Sequence, residues 1–224
     1  MKNSQESFAP KEDGGDARGR TAKATLFYGF VKSTMWLILK TFFRLRVHGA
    51  CNLPREGGVL VASNHQSYLD PVIVTVAFRR PIAFMARDTL FKNPLFGRLI
   101  SALNAFPVRR HSADIGAMRE AVHRLQSGNV LLVFPESERT HDGRIGEMRG
   151  GPVILAHRAG APIVPVVIKG AFEAWPRTRK LPRFRRLSIT CGPPIPPPAD
   201  GKRESHERVL QQLQQSFEAL GRES

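Results

Sequence analysis

Residues 57–71, GGVLVASNHQSYLDP, decide the fold of this chain. The apolar run at 59–64 follows a glycine pair and predicts a buried strand. Asp70 and Pro71 predict the start of a helix, because aspartate and proline are favoured at helix N-termini. His65 and Asp70 stand between the two elements, and on a continuous helix their side chains would point about 140° apart. A turn that folds back is therefore the geometry in which they can meet, and a plain helix cap is the alternative role for Asp70.

Strands and helices alternate along the rest of the chain. Short apolar runs predict further strands at 81–86, 106–108, 130–134, 163–168 and 187–191. Periodic apolar positions and closing glycines predict helices at 94–104, 112–127, 151–159 and 205–220. Because most of these strands are apolar throughout, we predict an α/β fold with a mostly parallel central sheet flanked by helices. In such folds, sites form where loops leave the carboxyl ends of the strands.

An apolar stretch at 26–45, LFYGFVKSTMWLILKTFFRL, precedes the sheet. Lys32, Trp36, Lys40 and Arg44 recur every four residues and share one helical face. The apolar residues assigned to the opposite face are Phe27, Phe30, Val31, Met35, Ile38, Phe42 and Leu45. A basic stripe over a broad apolar face is typical of a helix that lies in a membrane interface, although a core-packed helix has the same periodicity. We predict an N-terminal amphipathic membrane-interface helix.

The chain divides into four segments. Residues 1–22 are polar and rich in charge and glycine, which predicts a disordered tail. Residues 23–45 form the amphipathic membrane-associating helix, and residues 46–200 form the main domain. A proline-rich connector then leads to a C-terminal helix at 201–224.

The charge balance narrows the class of partner. The 224 residues include 34 Lys and Arg against 19 Asp and Glu, a net charge of +15. Such an excess indicates a polyanionic partner: nucleic acid, an anionic membrane surface or an acidic carrier protein. We expect no nucleic acid, because zinc-ligand spacing and an aromatic–basic ribbon are missing from the sequence. The two cysteines, Cys51 and Cys191, suit a reducing compartment, and the histidines show no spacing that predicts a metal site.

Charged residues follow several predicted strands. Glu136 and Arg139 stand in the motif FPESERT, where the arginine can grip an anion with its fork of donors. Arg109 stands in the motif AFPVRR, and Arg87 follows another predicted strand. Because these strand ends converge on one edge of a parallel sheet, the basic side chains suit a phosphate-bearing ligand. Taken singly, each is more commonly a solvated surface residue.

The order of four motifs is more specific than any one of them. NHQSYLD (64–70), AFPVRR (105–110), FPESERT (134–140) and APIVPVVIKG (161–170) each lie at a predicted strand. In this order they resemble the 1-acylglycerol-3-phosphate O-acyltransferase family of lysophospholipid acyltransferases, from about residue 47 to residue 170. The resemblance implies that residues 46–200 are an acyltransferase domain and that the protein is an enzyme of phospholipid biosynthesis.

The resemblance also implies roles for individual residues. His65 matches the general base of the family and Asp70 the acid that orients it. The residues that match positions binding the acceptor or its phosphate are Arg87, Arg109, Glu136 and Arg139. Pro165 matches a proline that shapes the acyl-binding region.

The third motif departs from the family pattern. Ser137, Glu138 and Thr140 stand where the family usually has glycine, threonine and serine. Ser137 matters if its position needs a positive φ, which glycine adopts without penalty. Glu138 adds a negative charge beside the implied phosphate site. Both departures leave the acceptor open more than the reaction class.

The implied reaction moves a fatty acyl group from a thioester, on coenzyme A or acyl carrier protein, to a hydroxyl of a lysophospholipid such as 1-acylglycerol-3-phosphate. No tightly bound cofactor is implied. The expected partners are an anionic membrane surface at its cytoplasmic face, the lysophospholipid and acidic acyl carrier protein. The alternatives are another acceptor, a lyso-aminolipid or glycerol-3-phosphate, and a catalytically silent lipid-binding relative.

Overall fold

A computed structural model describes residues 17–109 and 114–222, which contain a seven-stranded sheet with helices on both faces. The strands are β1 (Arg46–His48), β2 (Val59–Ser63), β3 (Ile82–Arg87), β4 (Ala105–Val108), β5 (Val130–Val133), β6 (Ile163–Lys169) and β7 (Ser188–Cys191). The helices are α1 (Ala17–Phe42), α2 (Asp70–Ala77), α3 (Pro94–Ala102), α4 (Ile115–Gln126), α5 (Gly151–Ala159), α6 (Ala171–Ala174) and α7 (Arg203–Arg222). Two 3-10 helices lie at Ala50–Asn52 and Asp88–Lys92.

The sheet is mostly parallel. Its strand order is β1-β7-β6-β2-β5-β3-β4, and the five strands from β2 to β6 all run in the same direction. Strand β7 is antiparallel to β6, and β1 is parallel to β7. The predicted α/β fold with a mostly parallel sheet and flanking helices is confirmed.

Strand β2 shows how the core is built. Successive residues of a strand face opposite sides of a sheet. Val59 and Val61 accordingly pack into the core beneath α1 and α2, while Leu60 and Ala62 pack into the core beneath α4, α5 and α7. All four residues are fully buried. This burial on both faces explains why the strand reads as a continuous apolar run.

The predicted strands and helices lie within a few residues of the observed ones, and α5 matches the predicted bounds 151–159. The sequence pattern missed β1 because its three residues are exposed and form no apolar run, and it missed α6 because four residues make only one helical turn. The predicted C-terminal helix is present as Arg203–Arg222.

Helix α1 has other bounds than predicted, Ala17–Phe42 against 23–45. Residues 1–16 of the predicted tail lie outside the described residues, while 17–22 are helical. Arg44 lies beyond the helix end, where its φ is 50°, so it does not extend the predicted basic stripe. Among the helices of the described part of the chain, none has the length and apolar character needed to cross a membrane.

The basic stripe predicted for α1 is not continuous in the structure. Tyr28 and Leu39 are buried against the domain, and the Tyr28 hydroxyl accepts a hydrogen bond from Ile82 N at 3.0 Å. Lys32 lies on this inward side, whereas Trp36 and Lys40 of the same predicted stripe are exposed. The outward side instead carries apolar residues such as Phe30 and Leu37, which are 71% and 60% exposed.

Lys32 faces the domain because it finds acceptors there. Its Nζ donates to the carbonyl oxygens of Phe78 and Arg79, directly after the end of α2. Burial lowers the pKa of the Lys32 ammonium. A cation at a helix C-terminus satisfies carbonyls that the helix itself leaves without a partner.

Candidate active site

His65 and Asp70 meet in the turn between β2 and α2. The distance from His65 Nδ1 to Asp70 Oδ2 is 2.8 Å. The same oxygen accepts hydrogen bonds from the backbone N–H groups of Gln66, at 2.6 Å, and Ser67, at 2.7 Å. These donors lie upstream of α2, so the Asp70 carboxylate is not a plain cap of the helix that it begins. The chain folds back as the spacing predicted.

The contacts of Asp70 assign the proton on His65. Asp70 is fully buried, and burial raises the pKa of its carboxyl, while His65 and the two N–H donors oppose that rise. Asp70 Oδ2 already accepts hydrogen bonds from two N–H groups, as an ionised carboxylate does. We therefore place the proton shared between Asp70 Oδ2 and His65 Nδ1 on the histidine nitrogen. The lone pair is then on Nε2. An imidazole with a carboxylate on one nitrogen and a free lone pair on the other can act as a general base.

Neighbouring side chains hold the His65 turn in place. The imidazole stacks on the Phe134 ring, with 3.9 Å between centroids and 13° between planes, and the His65 side chain is 14% exposed. Asn64 pairs with the backbone of Ile168 in both directions, donating from Nδ2 at 2.9 Å and accepting at Oδ1 at 2.8 Å. Asn64 therefore joins the end of β2 to β6. Our sequence reasoning missed this role, although a polar residue at the end of an apolar strand was a visible signal.

Glu136 binds backbone rather than presenting free oxygens to a ligand. Its Oε1 accepts from His65 N at 2.7 Å and its Oε2 from Gly146 N at 2.8 Å. Burial raises the pKa of the Glu136 carboxyl. Thr140 N donates to His65 O at 2.8 Å, so this loop binds both the N–H and the carbonyl oxygen of His65. Both carboxylate oxygens of Glu136 thus accept backbone hydrogen bonds, one of them from the His65 backbone.

The loop after β5 requires a left-handed residue. Ser137, at the position of the family glycine, has a φ of 64°. Its N–H donates to Phe134 O at 3.0 Å, which closes a tight turn. Further along the loop, Gly143 O accepts from Gln66 Nε2 at 2.8 Å. Loop 136–146 is therefore tied to the His65 turn by contacts at both of its ends.

Arg139 lies at the mouth of this site. Its guanidinium lies 3.7 Å from the centroid of the Tyr68 ring, which in turn lies 5.4 Å from the ring of Trp175. Ser67 Oγ donates to Trp175 O at 2.7 Å, so the residue after α6 is joined to the His65 turn. The sequence carried no signal for Trp175, because its place depends on how α6 returns to the sheet edge.

Arg87 and Arg109 lie farther from His65. Arg87 ends β3 and Arg109 follows β4, two and three strands from β2 in the sheet order. At roughly 4.8 Å per strand, these offsets are about 10 and 14 Å. Arg109 N donates to Asp114 Oδ2 at 2.9 Å, and Arg110 of the same motif lies outside the described residues. The structure does not bring these two arginines together with the His65–Asp70 pair.

Pro165 lies inside the sheet. It is buried in β6, opposite Ala62, and its carbonyl accepts from Gly192 N at 2.9 Å. A Cβ on Gly192 would lie 3.0 Å from Pro165 Cγ and 3.1 Å from Leu220 of α7. The ring thus packs on the α7 side of the sheet, where these contacts give it a packing role and no described contact with the His65 turn.

The cysteines lie outside the site. Cys51 is exposed and Cys191 is buried, and both are free. Burial raises the pKa of the Cys191 thiol to about 12, which makes it a poor nucleophile. Within residues 17–109 and 114–222, the structure shows no cluster of three His, Cys, Asp or Glu side chains arranged to hold a metal ion.

The chain has clear relatives among known proteins. The model of the family described as Acyltransferase matches residues 44–169, more than half of the 224-residue chain. The chloroplastic 1-acyl-sn-glycerol-3-phosphate acyltransferase of Arabidopsis thaliana is 26% identical over 155 residues, which cover 67% of this chain and 43% of the relative. This chain thus spans less than half the length of the plant protein.

A bacterial relative and a solved structure agree with this match. The 1-acyl-sn-glycerol-3-phosphate acyltransferase of Bacillus subtilis is 25% identical over 169 residues, which cover 75% of this chain and 82% of the relative. The crystal structure of the 1-acyl-sn-glycerophosphate (LPA) acyltransferase PlsC from Thermotoga maritima shares the fold, with a TM-score of 0.72 and 24% identity over 90% of this chain and 83% of that chain. The matched residues include the His65–Asp70 turn, and the chain belongs to the acyltransferase family.

Proposed function

We propose that this chain transfers a fatty acyl group from an acyl thioester to a hydroxyl of a phosphate-bearing lysophospholipid such as 1-acylglycerol-3-phosphate. The observation that carries the proposal is the 2.8 Å contact between His65 Nδ1 and Asp70 Oδ2, which leaves Nε2 available as a base. Family membership supports the reaction class and the thioester donor. The names of the plant and bacterial relatives support the choice of acceptor.

The proposed reaction needs no covalent acyl-enzyme, because the acceptor supplies the nucleophile. His65 Nε2 takes the proton of the acceptor hydroxyl as that oxygen attacks the thioester carbonyl, and a tetrahedral oxyanion forms. The carbon–sulfur bond then breaks, and the leaving sulfur takes the proton from Nε2. The products are an ester and a free thiol, and His65 returns to its neutral state. Asp70 stabilises the imidazolium between these two proton transfers.

We assign the arginines of the predicted site to two different phosphates, one on the acceptor and one on the donor. Arg139 rests its face on Tyr68, which leaves the edge of its guanidinium free to bind a phosphate near the acceptor hydroxyl. Arg87 and Arg109, two and three strands from β2, suit a phosphate remote from the reacting atoms. Coenzyme A carries phosphates at the far end of its pantetheine arm, so these two arginines fit the donor better than the acceptor.

An exposed apolar surface supports membrane association. On α1 and α3 it comprises Leu26, Phe27, Phe30, Leu37, Phe42, Leu95, Phe96 and Leu99, and we call these residues the outer apolar surface. The two helices contact each other. Phe184 stacks on Phe42 with 5.3 Å between ring centroids and brings the basic segment 177–186 to the end of α1. We propose that this surface docks on an anionic membrane, where each nearby basic residue contributes about 1 kcal/mol.

The proposed location is the cytoplasmic face of the membrane. The exposed free thiol of Cys51 suits a reducing compartment. Acyl carrier protein is acidic, so the net charge of +15 favours it as a donor beside coenzyme A.

An acyl-transfer assay tests the reaction and the acceptor together. The purified chain is mixed with acyl-coenzyme A or acyl carrier protein and with lysophosphatidate, glycerol-3-phosphate, a lyso-aminolipid or other lysolipids, and mass spectrometry identifies the product. We expect lysophosphatidate to be acylated. We expect His65→Ala and Asp70→Asn to lower the rate by about 10²–10⁴-fold, while the exposed His123→Ala does not. Transfer that survives His65→Ala overturns the mechanism, and a product without phosphate overturns the acceptor.

A further inference from the structure

Residues 175–179 bring arginines to the His65 edge of the sheet from outside the family motifs. They follow α6, which comes after β6, the direct neighbour of β2. Trp175 O accepts from Ser67 Oγ at 2.7 Å, and the Trp175 ring lies 5.4 Å from that of Tyr68. The segment lies beyond the residues 44–169 that the family shares. Its side chains can therefore set properties that the common motifs do not.

Arg177 is linked to the base through one short loop. Its Nη1 lies 2.7 Å from His141 Nε2. A guanidinium only donates, so His141 Nε2 must carry a lone pair and accept. The residue before His141, Thr140, donates its N–H to His65 O at 2.8 Å. One of the five N–H donors of Arg177 is used in this contact, and the others are available to a ligand.

Arg139 and Arg179 both contact the Tyr68–Trp175 pair, the first through its guanidinium and the second through its backbone carbonyl. Arg139 lies 3.7 Å from the Tyr68 ring centroid. The carbonyl of Arg179 accepts from Trp175 Nε1 at 3.1 Å, and Arg179 Nη1 is buried without an acceptor among the described residues. A buried donor is normally paired with an acceptor, which a ligand or a water molecule can supply here.

These three arginines also lack acidic partners. In the part of the chain that the structure describes, the ion pairs involve other basic residues, and none joins Arg139, Arg177 or Arg179 to a carboxylate. The three guanidinium groups are therefore free to pair with an anionic ligand. A phosphate monoester carries nearly two negative charges and accepts well from the forked donors of arginine.

We propose that Arg139, Arg177 and Arg179 form a phosphate-binding site around Trp175, on the β6 side of His65, that recognises the phosphate of the acceptor. The assignment to the acceptor rests on the proposed acyl-transfer function. Coenzyme A carries the same chemical group, so the experiment must separate the two sources. The site makes Arg177 a residue that selects phosphate-bearing acceptors over neutral ones.

Trp175 provides a probe that does not depend on turnover. The chain has two tryptophans, Trp36 and Trp175, so Trp36→Phe leaves a single reporter. Its fluorescence is titrated, without vesicles, with glycerol 3-phosphate or with adenosine 3′,5′-bisphosphate. We expect a saturable response to glycerol 3-phosphate, whose Kd rises at least about tenfold in Arg177→Gln. Arg185→Gln, an exposed arginine of the same basic segment, should leave the Kd unchanged.

Kinetics distinguish a failure of this site from a failure of the proposed function. In Arg177→Gln, the KM for lysophosphatidate should rise about tenfold, with kcat and the KM for monoacylglycerol unchanged. An active enzyme whose Kd and KM values do not respond to Arg177→Gln overturns the site. A response to adenosine 3′,5′-bisphosphate alone overturns the assignment to the acceptor. A Trp175 response to glycerol 3-phosphate without any acyl transfer supports the site and overturns the proposed reaction.

Discussion

Ser137 holds the loop beside His65 in a strained backbone conformation. Its φ of 64° is a conformation that costs a residue with a Cβ about 1–2 kcal/mol. The turn at Ser137 sends the chain back, so that Glu136 and Thr140 both reach the backbone of His65. The local strain is therefore coupled to the placement of the catalytic candidate.

Replacing Ser137 by glycine should stabilise the protein. We expect the free energy of unfolding to rise by about 0.5 kcal/mol, because glycine removes the left-handed penalty but loses more entropy on folding. Urea denaturation measures the change. The control is Ser127→Gly, at a φ of −78°, which should lower the stability. Equal losses in the two variants would contradict the strain at Ser137.

Glu136 predicts a pH dependence of stability. Burial raises the pKa of its carboxyl above 4.5, so the folded state holds the proton more tightly than the unfolded state. The contribution of such a group is fully present below the unfolded pKa and is lost as the pH rises through the folded pKa. Glu136→Gln should remove this loss, so the stability of the variant relative to wild type should improve from about pH 4 to pH 7. Urea denaturation at several pH values tests it.

The control for this pH series is Glu147→Gln, at an exposed glutamate of the same loop region. Its stability relative to wild type should not follow the pH trend of Glu136→Gln. A constant difference between Glu136→Gln and wild type across the range would show that Glu136 does not titrate differently in the folded protein.

At this scale, the sequence predicted local contacts better than distant ones. His65 and Asp70 are five positions apart, so one turn is enough to join them. Glu136 and Trp175 contact the same turn only because loop 136–146 and α6 fold back towards it. The periodicity of the sequence does not predict these two folds of the chain. These contacts could therefore not be predicted from the motifs.

Helix α1 illustrates what a periodic pattern leaves undetermined. Its existence followed from the apolar residues, but they lie on both sides of the helix, so the pattern did not identify the inward face. Lys32 could turn inward because the carbonyls of Phe78 and Arg79 accept from it. Those acceptors belong to the end of α2, which the sequence of α1 does not reveal.

Charge placed on the outer apolar surface should weaken membrane binding. Phe30→Asp and Leu37→Asp replace exposed side chains, so the fold should persist. We expect partition into anionic vesicles to fall at least about tenfold, because burial of one such side chain contributes about 1.5–3 kcal/mol. Vesicle cosedimentation measures it. The control is Ile115→Asp, which is 63% exposed on α4 and covers the other face of the sheet.

One arginine side chain links three strands at the amino ends of the sheet, opposite to His65. There Arg80, just before β3, donates to the carbonyl oxygens of Pro54 at 2.8 Å, Gly57 at 2.6 Å and Gly128 at 2.6 Å. The carbonyls precede β2 and β5, so one guanidinium joins the starts of three adjacent strands.

Removing the Arg80 side chain should lower the stability of the protein and leave its activity unchanged. We expect Arg80→Ala to lower the free energy of unfolding by about 2–3 kcal/mol, because hydrogen bonds from a charged group are lost together. The specific activity of the folded protein should not change. Thermal and urea unfolding measure the effect, with the exposed neighbour Arg79→Ala as control. A loss of activity without a loss of stability would contradict the structural role.

The class of the sheet was predictable, while its strand order was not. Apolar strands alternating with helices indicated a parallel sheet, because both of its faces must be covered. The antiparallel strand β7 and the edge strand β1 depend on pairing between distant segments. Local sequence patterns contain no information on such pairing.

The pairing of β1 with β7 has a consequence for biosynthesis. Strand β1 finds its partner only when β7 has been made, since most of the chain separates Arg46–His48 from Ser188–Cys191. Domains fold as units during synthesis, and contacts distant in sequence form late. Helix α1, which directly precedes β1, is therefore synthesised well before its strand can join the sheet. Under the proposed membrane docking, the nascent chain reaches a lipid surface through this helix while the rest of the chain is still being translated.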